Sequence, residues 1–156
     1  MSFSEITQDL QKILRSNLPQ IRFLLKKNPA LGYTKITELG KETGKKYGMK
    51  LIVNFPQEGK IEEFEKYGKR DLSLIMDMQK TKFPVDRAII KEKAIEYLPE
   101  ARTEDAYMYE GKEGVKIFLK QGRIDILPHS LHVWCDFTDK VTQYCDWLLA
   151  DVYKWN

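Results

Sequence analysis

His129, His132 and Cys135 follow one another at three-residue intervals in the stretch LPHSLHVWCDF, residues 127–137, with Asp136 beside the thiol. Imidazole and thiolate are the ligands that zinc takes in a tetrahedron. The same types can also make a nucleophile, a base and an orienting carboxylate. Both uses require the side chains to converge. Three-residue spacing converges on a helix or a turn, whereas a strand sends successive side chains to opposite faces. Pro128 ahead of the β-rich run HVWCDF favours a strand. In a strand His129 and Cys135 share a face and His132 turns away. The stretch therefore predicts Val133, Cys135 and Phe137 towards the core, with His132, Trp134 and Asp136 lining the other side. No metal site and no cofactor are expected. The competing reading is a hydrolase or nuclease centred on His129, His132, Cys135 and Asp136.

Other chemistry-bearing patterns fall short of their templates. ELGKETGKKYG has the look of a phosphate loop, but only three residues separate Gly40 from Gly44 and Lys46 stands where Ser or Thr is needed. It reads instead as a lysine-rich helix with small residues at Gly40 and Gly44. Glu-Gly-Lys occurs twice, at residues 58–60 and 110–112, resembling the acidic-lysine signature of metal-dependent nucleases. With glycine in the middle, both copies read as turns.

The basic residues suggest binding. Residues 1–50 carry ten Lys and Arg against four Asp and Glu, whereas the rest of the chain is slightly acidic. Lys26, Lys27, Lys41, Lys45 and Lys46, with Tyr47 as a stacking ring, form the candidate patch; a positive field of this kind suits nucleic acid or an acidic protein surface. Trp134 is the candidate aromatic anchor. A strand face carrying His132 and Trp134, with Tyr107 or Tyr109 nearby, would make a partner-binding surface, since tryptophan and tyrosine anchor interfaces.

The elements that must position these residues can be read from periodicity. Ser2 and Glu5 have capping-box spacing before a helix carrying Phe3, Ile6, Leu10 and Leu14. Pro19 opens a second helix, which Asn28-Pro29 stops. Thr37 is read as the cap of a third, ending near Gly48. Residues 49–55 alternate as a strand. Residues 60–80 read as a helix with Phe64, Tyr67, Leu74, Ile75 and Met78 along one side, and Pro84 opens another that carries Ala88, Ile89, Ala94, Ile95 and Leu98. Glycines 111, 114 and 122 then divide an antiparallel meander. Thr138 caps a terminal helix whose stripe is Val141, Tyr144, Cys145, Leu148, Val152 and Trp155, with Trp147 and Tyr153 towards its flanks.

The fold class is therefore α+β. A helix-rich part with one strand covers residues 1–100, and a β-meander packed by a C-terminal helix covers 101–156, as a single domain. Two cysteines make no disulfide framework, and no signal sequence or apolar run of membrane-spanning length is present, which points to the cytoplasm. These features together predict a small cytoplasmic binding or regulatory protein, without catalysis, of the inhibitor or immunity kind. Its partner would be another protein or a nucleic acid, not a membrane.

Overall fold

The computed structural model describes residues 2–54, 73–78, 86–107, 113–120 and 122–155. Helix α1 (Phe3–Ser16) starts where the Ser2 hydroxyl accepts a hydrogen bond from the Glu5 amide at 3.1 Å. Its stripe of Phe3, Ile6, Leu10 and Leu14 is fully buried. Helix α2 (Leu18–Lys27) has proline in its first turn. Helix α3 (Pro29–Lys46) begins nine residues earlier than a cap at Thr37 suggests. The Asn28 side chain accepts from the Ala30 amide at 3.1 Å, and Pro29 occupies the first helical turn, where its missing N–H costs nothing. The proline that ends one helix thus opens the next.

Strand β1 (Lys50–Asn54) lies under α3. A Cβ on Gly40 would sit 2.7 Å from Val53 Cγ2, and one on Gly44 would sit 2.7 Å from the Met49 carbonyl oxygen. Those two glycines let the helix backbone approach the strand closely, so they serve packing and not phosphate binding.

Residues 73–77 form strand β2 (Ser73–Asp77), not part of a helix. Leu74 and Met76 are buried, with half-buried residues between them. The period-two series Leu74, Met76, Met78 was present in the sequence beside the helical one. Pairing on both sides, with β1 and with β6 below, decided in favour of the strand. The remainder of the expected 60–80 helix and both Glu-Gly-Lys turns lie outside the described residues.

Helix α4 (Arg87–Tyr97) is capped by the Asp86 carboxylate on the Ala88 amide at 2.9 Å. It buries Ile90 and Ala94, while Ile89 and Ile95 are exposed. The meander follows as β3 (Arg102–Tyr107), β4 (Glu113–Leu119), β5 (Gly122–Ile126) and β6 (Ser130–Trp134). All six strands form one antiparallel sheet in the order β1-β2-β6-β5-β4-β3. The β1–β2 pair therefore extends the meander past its last strand.

Helix α5 (Asp139–Trp147) is capped by Thr138, whose hydroxyl accepts from the Val141 amide at 3.2 Å, and runs on into a π-helical turn, Leu148–Val152. Tyr153 does not lie on a flank. It is buried, and its hydroxyl donates to the Leu127 carbonyl at 2.7 Å, with the Ser130 carbonyl 2.9 Å away. Tyr144 donates to the Ile90 carbonyl at 2.9 Å, joining α5 to α4. Asp105 pairs with Arg87 at 3.5 Å and with Lys91 at 2.7 Å, joining β3 to α4.

The core is one cluster, and the strand residues in it fall on one face of the sheet by register: Leu51, Val53, Leu74, Met76, Val115, Ile117, Ile124, Ile126, Leu131 and Val133. All five helices contribute to that cluster as well, so among the described residues they cover one face of the sheet and leave the other open. No helix among the described residues is long and apolar enough to cross a membrane.

Candidate functional site

The open face is built by the side chains that alternate with the core set. In β6 these are Ser130, His132 and Trp134, with Leu131 and Val133 pointing to the core. Strand register arranges the open-face residues in rows. One row reads Ser73, Trp134, Arg123, Phe118, Arg102 across β2, β6, β5, β4 and β3. The next reads Ile75, His132, Asp125, Lys116, Glu104 across the same strands. Strands stand about 4.8 Å apart, so Trp134 to Arg102 spans about 14 Å, and the two rows are about 7 Å apart along the strands.

The first row alternates rings and guanidinium groups. The Arg102 guanidinium carbon lies 4.4 Å from the centre of the Phe118 ring, and that of Arg123 lies 6.0 Å from the centre of the Trp134 ring. Each arginine is also paired with an acid two residues on, which strand alternation places on the same face. Arg123 Nε is 2.9 Å from Asp125 Oδ1, and Arg102 pairs with Glu104. The acids hold the guanidinium groups in place beside the rings. Exposed cation–π contacts contribute about 0.5–1 kcal/mol and an exposed ion pair such as Arg102–Glu104 about 0–1 kcal/mol. Such a row contributes little to folding, yet it keeps Trp134 52% exposed in the middle of a sheet.

His132 sits in the second row. Its Nε2 is 3.1 Å from the Ser130 hydroxyl, and Asp125 is directly across the ladder. Burial holds the imidazole pKa below its usual value; the Asp125 charge opposes that shift, Arg123 adds to it, and Asp77 opposes it more weakly. The ring is therefore neutral at neutral pH. A hydroxyl on a neutral imidazole resembles half of an acyl-transfer site. Such a site also needs free N–H donors for the oxyanion. Here β6 is paired on both sides, so its ladder amides are already committed.

The four residues His129, His132, Cys135 and Asp136 are not gathered at a point. His132 faces the open side, and Cys135 is buried with the core. Burial, reinforced by Asp136, pushes the Cys135 thiol up to about 12, the reverse of what a nucleophilic thiolate requires. His129 is exposed in the turn before β6, where its carbonyl accepts from the Met78 amide at 2.6 Å. Among the described residues, no group of three or more His, Cys, Asp and Glu side chains is placed to hold a metal ion.

The lysines do not form one patch. Lys26 and Lys27 end α2, while Lys45 and Lys46 end α3, an 18-residue helix. At 1.5 Å per residue the two pairs are about 25 Å apart along the helix axis. Lys41 and Lys45 are exposed, each three residues beyond a glutamate, Glu38 and Glu42, so neighbouring charges of opposite sign offset them. Lys46 and Tyr47 have a structural task. Lys46 Nζ is 2.7 Å from Asp9 Oδ2, the Tyr47 hydroxyl donates to the same carboxylate, and Trp155 Nε1 donates to the Tyr47 carbonyl at 3.2 Å. The clamp joins α1, the end of α3 and the C-terminus. Its hydrogen bonds hold the Asp9 carboxyl below its usual range, while burial and then the Asp9 bond push the Tyr47 phenol up to about 12.

Of the binding residues expected from sequence, Trp134 alone belongs to the open face. Arg102, Phe118, Arg123 and Asp125 join it there without having been singled out. The repeated Arg-x-acid in RTED and GRID was the available signal, but only the register shows that both fall in one row with Trp134. The Tyr107 side chain and all of Tyr109 lie outside the described residues. Comparison with known protein families, with characterised proteins and with solved structures gives no match.

Proposed function

We propose that this chain is a small binding protein that acts by occupying a macromolecular partner, and that its working surface is the open sheet face around Trp134. The row Trp134–Arg123–Phe118–Arg102 carries this reading. Tryptophan and arginine are enriched among binding hot spots, since each covers a large area and keeps a directional polar group. Both sit here on a rigid sheet, at a place where they do little for stability. The buried Cys135, its thiol pushed up to about 12, supports a role without covalent thiol chemistry. A regulatory or inhibitory action in the cytoplasm is consistent with two cysteines that are both free and buried.

Site-directed photocrosslinking tests the surface. Trp134→p-benzoylphenylalanine is compared in cell extract with Ile89→p-benzoylphenylalanine, which sits on the exposed side of α4. A discrete adduct from position 134, competed away by unmodified protein and missing from position 89, is the expected result. Adducts from position 89 with none from 134 would move the working surface to the helices and overturn the proposal.

A further inference from the structure

Resting on that reading of the open face, we infer that its occupant is single-stranded RNA. Stacking chemistry and charge point the same way. Six strands at about 4.8 Å spacing and five residues at about 3.4 Å give the face a projected area of about 490 Å², which an extended strand of a few nucleotides fits within.

The row itself matches what unpaired bases seek. Bases stack on aromatic faces and on the planes of arginine guanidinium groups, whatever their sequence. Trp134 and the guanidinium groups of Arg123 and Arg102 offer three such surfaces along about 14 Å, and no acid interrupts that row. Lys116 stands between the two arginines in the neighbouring row, within reach of the phosphates.

Glu104 in that neighbouring row selects the sugar. A carboxylate beside a DNA backbone meets only acceptors and negative charge. The RNA 2′-hydroxyl is a donor as well as an acceptor, and it distinguishes the two nucleic acids. Glu104 pairs with Arg102 but is half-exposed, so its remaining carboxylate lone pairs can accept from that hydroxyl. Asp125, only 14% exposed and already paired with Arg123, is largely shielded from the backbone.

The test is fluorescence anisotropy with the full chain and a labelled ten-nucleotide RNA of mixed sequence, the DNA of the same sequence, and the RNA duplex. Saturable binding of single-stranded RNA, weaker for DNA and weaker still for duplex, is expected. Trp134→Ala should weaken it about 5- to 150-fold, the effect of losing one stacked base, while Trp134→Phe, which keeps a ring, restores most of the affinity. Lys116 as the one phosphate contact predicts a shallow slope near about −0.7 in log affinity against log salt, and Lys116→Gln should remove most of it. No saturable binding below about 100 μM, the weak limit of non-specific affinity, would overturn the inference. So would equal or tighter binding of DNA, or affinity indifferent to Trp134→Ala in a variant that keeps the wild-type melting temperature. If RNA fails but the position-134 crosslinker captures one discrete protein, the open face remains the working surface with a protein occupant; if both fail, both proposals fall.

Discussion

Gly122 governs the geometry of the open face, and its replacement by alanine is the sharpest test of the β5–β6 arrangement. Its φ is +144°, a conformation that side-chain-bearing residues rarely adopt. A Cβ placed there would lie 2.1 Å from the Trp134 carbonyl oxygen and 2.6 Å from Cys135 Cβ. Ordinary contact is about 3.5–4.0 Å, and the obstructing atoms are backbone and core, which cannot swing aside. Backbone strain of this kind costs about 1–3 kcal/mol, and overpacking adds about 1–3 kcal/mol. The sum, about 2–6 kcal/mol, is a large part of the 5–15 kcal/mol that holds a typical domain together. With a urea dependence of about 2 kcal/mol/M, the midpoint of Gly122→Ala should fall by about 1–3 M. Urea titration followed by far-ultraviolet circular dichroism reads this directly. Gly48→Ala is the internal comparison: its φ is +73°, but the nearest atom is Trp155 Cζ2 at 4.0 Å, so only the backbone term of about 1–2 kcal/mol applies. A Gly122→Ala midpoint no lower than that of Gly48→Ala would refute the close approach of β5 to the Trp134 carbonyl.

Four further outcomes are expected. Tyr144→Phe removes the buried bond to the Ile90 carbonyl and should cost about 1 kcal/mol by urea titration, since that carbonyl lies within a helix and keeps a backbone partner. Thr138→Ala should cost about 1 kcal/mol through loss of the α5 cap, and Thr138→Ser should recover most of it. His132 has a folded pKa below its unfolded value of 6.5. The unfolded chain therefore binds the proton first, so stability is complete above pH 6.5 and declines as pH falls towards the folded pKa. Melting temperatures between pH 7.5 and 5 should fall more steeply for wild type than for His132→Gln, and parallel curves would contradict the desolvated ring. Cys135 and Cys145 are buried with raised thiol pKa values, so both should react with a thiol reagent only at the rate of local opening, and fully on unfolding in urea.

Local signals in the sequence determined much of the chain. Ser2, Pro19, Thr138 and the apolar stripes marked α1, α2 and α5 within a residue or two, because caps and helical periodicity act over a few neighbouring positions. Alternation around Cys135 separated the two faces of β6 for the same reason. Signals failed where two local rules competed. Asn28-Pro29 both stops a helix and starts one, and residues 74–78 carry helical and period-two patterns together; neighbouring strands settled the second. The lysines were grouped by their closeness in sequence, yet an 18-residue helix separates them by about 25 Å. The row on the open face was decided by tertiary structure alone. Its ring and arginine members come from four strands spread over residues 102–134, and whether they align depends on register, which is set by long-range hydrogen bonding and burial of the opposite face. Which side chains point outward is a property of each strand; which of them stand side by side is a property of the sheet.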